Sequence, residues 1–103
     1  MNAISKVSAI TVSDIAEYIR LDEVTNDDEN TLTTLLNVAT EFISSYTGHT
    51  TEELDDYPTF VIAVLLLCQD MWDNRALYDN GFKADNLNKT VETILGMHSV
   101  NLL

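Results

Sequence analysis

The chain has 103 residues, enough for one domain with a modest core and too few for two. Hydrophobic residues make up 46% of it, which argues against wholesale disorder, and with 3 Gly and 1 Pro it lacks the turn residues of a sandwich or barrel. Five Lys and Arg stand against 17 Asp and Glu, a net charge of −12 that disfavours ordinary nucleic-acid binding and adhesion to anionic membranes.

The charge is concentrated. Residues 22–73 hold twelve acids and no Lys or Arg. Outside that stretch Asp14, Glu17, Asp79, Asp85 and Glu92 balance Lys6, Arg20, Arg75, Lys83 and Lys89. One cysteine, Cys68, excludes an internal disulfide, and no Cys/His cluster has zinc spacing. Residues 1–10 lack the apolar run of a signal peptide, and the longest apolar run, 60–68, is half a membrane span. The expectation is a protein made and used inside a cell.

In chain order, residues 1–9 read as a flexible lead-in to a single helical domain. The first helix begins at Thr11, where Thr11 and Asp14 have capping-box spacing, and Val12, Ile15, Ala16 and Ile19 share one face. It ends near Arg20 and Leu21. An acidic linker, 22–28, offers Asn26 or Asp27 as the next N-cap. The second helix repeats Leu32, Leu35, Leu36, Ala39, Phe42, Ile43 and Tyr46 at three- and four-residue spacing. Gly48 follows at the left-handed cap position.

Residues 49–57 are polar and acidic, with room for one helical turn around 52–54. Pro58 opens a third helix running to about Tyr78. Its first half, 60–68, is apolar all round, the pattern of a central helix packed by the others. Asp79-Asn80-Gly81 reads as a turn. Val91, Ile94 and Leu95 form the stripe of a short fourth helix, capped by Asn86 or Asn88 and ended by Gly96. The expected architecture is all-α, a bundle of about four helices.

Few residues suggest chemistry. Asp70 and Asp73 are three apart on one helix, a spacing that two metal-binding carboxylates can use, but the other helices offer only Glu41, Asp14 and Glu17, not paired Glu motifs. The acids of 22–29 lack the glycine and ligand alternation of a calcium loop. His49 and His98 stand apart from any ligand pattern, and His49, in a loop, reads as exposed. Cys68 reads as a small core residue. No phosphate loop or nucleophilic triad spacing is present. Arg75, three residues after Trp72, suits stacking on the indole, a carboxylate bridge or a helix C-terminus. Neither catalysis nor a metal or cofactor is expected.

Several strings together resemble the small head–tail connector (adaptor) proteins of long-tailed double-stranded DNA phages and prophages. Thr11-Val12-Ser13-Asp14 through Tyr18-Ile19-Arg20-Leu21-Asp22 is similar to that family's opening helix. The acids of 26–29, then Leu32 to Tyr46-Thr47-Gly48, resemble its second helix and Tyr-Thr-Gly ending. Tyr57-Pro58 through Leu65-Leu66-Leu67 and Met71-Trp72-Asp73-Asn74-Arg75 resemble its third, and residues 91–95 its short last helix. The family often ends in a basic or aromatic-Arg tail; this chain ends Val100-Asn101-Leu102-Leu103.

The resemblance implies a homo-oligomeric ring, usually dodecameric, that joins portal to tail-completion proteins around the DNA channel. It implies assembly in the bacterial host cytoplasm and a place at the virion head–tail junction. The residues expected at or beside a subunit interface are Glu41, Tyr46, Trp72 and Arg75. Two other readings are an acidic helical binding module, such as a DNA mimic or regulator, and a metal-dependent all-α nucleotide pyrophosphohydrolase. Clustering of carboxylates in 22–29 and 52–56 runs against a mimic, which spreads charge at phosphate-like intervals.

Overall fold

The computed structural model describes residues 3–73 together with Leu95 and Gly96. Among these residues the architecture is all-α, with no strand. A 3-10 turn, Val7–Ala9, precedes helix α1, Val12–Tyr18; helix α2 is Asn26–Thr47; a second 3-10 turn, Glu53–Asp56, leads into helix α3, Thr59–Asp73. The expected fourth helix, apart from Leu95 and Gly96, and the 79–81 turn lie outside the described residues.

Each start is fixed by the same local chemistry. At α1 the Thr11 hydroxyl accepts from the Asp14 amide, and the Asp14 carboxylate accepts from the Thr11 amide at 2.9 Å. α2 begins one residue earlier than expected, with Thr25 rather than Asn26 or Asp27 as N-cap, and Asp28 completes the box. The box satisfies two otherwise orphaned donors: the Thr25 amide donates to the Asp28 carboxylate and the Asp28 amide to the Thr25 hydroxyl. Gly48 ends α2 in the left-handed region at φ 81°, as its position implies.

α1 ends less predictably. Arg20 occupies the left-handed region at φ 62°. The Leu21 amide donates to the Ala16 carbonyl at 2.9 Å and the Arg20 amide to Glu17 at 3.2 Å, the double bond of a Schellman cap with arginine where glycine is usual. A left-handed β-carbon costs about 1–2 kcal/mol. Arg20→Gly is therefore expected to raise stability by roughly 0.5–1 kcal/mol, since the gain is offset by glycine's greater freedom when unfolded. Urea unfolding checks it; a loss of stability would mean that the arginine side chain contributes more than its backbone strain costs.

Packing gathers one core. α2 and α3 share the largest contact, and α1 lies against both. Ile15 from α1, Leu32, Ala39 and Ile43 from α2, and Phe60, Ala63, Val64, Leu67 and Cys68 from α3 are fully buried, as is Leu95. α3 is central but not enclosed: Ile62 is 51% exposed and Leu66 is half-buried, one turn apart on the same face. On α2 the buried stripe takes in Thr47, and Tyr46 stands 40% exposed. Thr47 tolerates burial because its hydroxyl donates to the Ile43 carbonyl at 2.7 Å.

The N-terminal segment is docked rather than loose over 7–10. Val7 and Ile10 are buried in the core. Ser8 donates through its amide and hydroxyl to the two carboxylate oxygens of Asp55, at 2.9 and 2.7 Å. That pair ties together segments 47 residues apart.

Candidate functional site

The segment between α2 and α3 is built around His49. Contrary to its expected exposure, His49 is 9% exposed. Its ring lies 5.0 Å from that of Tyr57 and 6.1 Å from that of Phe60, and Tyr57 and Phe60 meet edge-on at 5.3 Å. Gly48 turns the chain back, the Ser44 hydroxyl donates to the His49 carbonyl at 2.6 Å, and Nδ1 of His49 lies 3.8 Å from Glu53. A third reciprocal pair, Thr50 with Glu53, sets the next turn. Nothing local in the sequence marks His49 for burial; the aromatic partners that cover it arrive eight and eleven residues later.

This arrangement presents Glu52 and Asp55 opposite α2. Between the first 3-10 turn, α2 and the second 3-10 turn runs an open groove of about 540 Å³. Val7, Ile10 and Leu36 give it apolar lining, and Glu41, Glu52 and Asp55 line it as carboxylates. A shallower cleft of about 250 Å³ lies on the other side of Glu41, formed by Val38, Glu41, Phe42 and Ser45 along one face of α2. Phe42 pairs with Tyr46, ring centres 5.6 Å apart.

The four expected interface residues therefore separate. Glu41 and Tyr46 are both exposed on α2 but stand about 140° apart around it; Glu41 is shared by the two clefts, and Tyr46 lines neither. Trp72 is half-buried, packs against the core and lines neither cleft. Arg75 lies outside the described residues, as does His98. The α2–groove junction, with Glu52 and Asp55, was not legible from spacing, because it joins three distant segments.

Two carboxylates are tuned. Hydrogen bonds from the Ser8 side chain and then its backbone hold Asp55 below its ordinary 3.8; the Thr50 backbone bond chiefly holds Glu53 below 4.5. A depressed pKa adds stability that is complete above the ordinary value and is lost as pH falls through the folded-state value. The Ser8 amide resonance is thus expected to titrate with a midpoint below 3.8, and the Asp55→Asn variant to lose that transition. A wild-type midpoint at or above 3.8 would contradict the Ser8–Asp55 tie.

Other candidates resolve simply. Burial pushes the Cys68 thiol up to about 12, so it stays a thiol inside the core. Asp70 is half-buried and Asp73 exposed, and among the described residues no three His, Cys, Asp or Glu gather to hold a metal ion. No described helix is long and apolar enough to cross a membrane.

No family model, curated protein or solved structure matches the chain.

Proposed function

We propose that the chain is a subunit of a head–tail connector ring of a long-tailed double-stranded DNA phage or prophage. It joins portal to tail-completion proteins and has no catalytic role. The reading is carried by the exposed Tyr46 edge of α2. In the Tyr46-Thr47-Gly48 string, Thr47 is buried and Gly48 supplies the left-handed cap, so both have work within the subunit. Tyr46 is 40% exposed, and its ring packs at a tilt on that of Phe42, centroids 5.6 Å apart. A large amphipathic ring on an open helix edge is typical of interface anchors.

A ring uses two different patches on each subunit, joined head to tail. Tyr46 and Phe42 belong to one of them. The acidic surface suits the wall of a DNA channel, because duplex slides past like charge without sticking. The free subunit is monomeric or weakly associated until a portal surface templates it, and reaches the head–tail junction from the host cytoplasm.

Tyr46→Ser tests the edge. The residue is exposed, so the folded state should change by only about 0.5 kcal/mol. Ring association followed by sedimentation should weaken by roughly tenfold or more, as for an aromatic anchor. Unchanged association in a folded Tyr46→Ser protein would remove this edge from the interface.

A further inference from the structure

We infer that the groove between the N-terminal 3-10 turn and α2 is a docking site for a basic segment of another protein, one that lays an arginine or lysine across it. Three observations meet there. The groove holds about 540 Å³, within the rough 300–1,000 Å³ range of pockets that enclose small ligands. Val7, Ile10 and Leu36 offer apolar surface on which an aliphatic stem lies, and Glu41 and Glu52 stand where its cationic head emerges. Asp55, the third carboxylate, is already engaged by Ser8.

Glu41 and Glu52 are exposed, and among the described residues neither side chain makes a hydrogen bond or ion pair. Their counterpart is therefore sought outside the subunit. Among the described residues no three His, Cys, Asp or Glu gather closely enough to hold a metal ion, and an exposed pair of carboxylates beside apolar surface calls for a different cation. That combination suits a guanidinium or ammonium on a hydrocarbon stem, with arginine favoured because its planar fork pairs with carboxylates.

Charge complementarity selects a foreign chain over a second copy. A second copy brings five Lys and Arg against 17 acids, a net charge of −12, so two copies repel as wholes. The inference does not depend on the connector reading: the groove is tested on the subunit by itself, and ring formation is measured separately.

The probe is a capped Gly-Arg-Leu-Arg-Gly peptide, titrated into the full isotope-labelled chain and followed by amide shifts. Saturable shifts confined to Ser8, Thr40 and Thr51 are expected, with no response to a capped Gly-Glu-Leu-Glu-Gly control. Binding should weaken roughly tenfold in the folded Glu41→Gln, Glu52→Gln double variant, and also when the peptide leucine is replaced by glycine. Four results would overturn the assignment. They are no shift at all, shifts as large over residues 22–29, unchanged affinity in the double variant, or the same amides moving on simple concentration of the chain, which would make a second copy the occupant.

Discussion

Leu67→Asp is expected to unfold the protein, whereas Leu66→Asp, one residue away, is expected to leave it folded. Leu67 is fully buried in α3 within the core that also holds Ile15, Leu32 and Ile43. A carboxylate there is surrounded by apolar side chains and either stays charged among them or takes up a proton; either way the cost is several kcal/mol. The lost leucine packing adds about 2–5 kcal/mol. Together these approach or exceed the 5–15 kcal/mol or so by which domains are normally stable. Leu66 is half-buried on the same face as Ile62, which is 51% exposed, so its carboxylate reaches water. A cost of about 1–2 kcal/mol is expected there. Circular dichroism with urea titration separates the two variants. A helical, cooperatively melting Leu67→Asp protein would show that α3 is not the centre of the core.

Phe60→Ala is expected to cost about 3–5 kcal/mol and to release the His49 segment. Phe60 is fully buried at the first turn of α3, and its ring meets those of Tyr57 and His49. Removing it takes away the surface against which His49 is held. The same segment continues into Thr50, Glu53 and Asp55, whose bonds to one another and to Ser8 shape the groove. Faster amide exchange is therefore expected over 49–57 and at Ser8, beyond the rise in the rest of the core. Uniform loss of protection, with no excess in those amides, would mean that the aromatic cluster is ordinary core and does not brace the groove. Phe60→Leu, which keeps most of the apolar volume but no ring, should retain more stability while still loosening His49.

What could be read in advance was local. The Thr11–Asp14 box and the Gly48 cap follow from residue types a few positions apart, and the structure has both. Thr25–Asp28 has the same spelling as Thr11–Asp14, but it sits beside a crowd of acids at 26–29 that offers competing caps. The all-round apolar run of α3 correctly indicated a central helix, but composition does not tell Leu66 from Leu67; only the packing directions of α1 and α2 do. Arg20 in a left-handed cap has no signal, since arginine rarely adopts it. The burial of His49 and the Ser8–Asp55 tie depend on partners brought close by the fold, so no spacing rule exposes them. The same holds for the groove, and periodicity, which counted Tyr46 with the apolar stripe of α2, does not tell that its ring stands 40% exposed.

The central claim is that this acidic helical subunit assembles with itself, against its own charge. Each copy carries −12, and that repulsion is screened over about 8–10 Å at physiological salt. Sedimentation velocity of the chain across a salt series, with and without duplex DNA, tests it most directly. The account predicts larger closed assemblies as salt rises and no DNA binding at moderate salt. Assemblies that dissociate on adding salt, or tight DNA binding at low salt that weakens steeply with it, would contradict it.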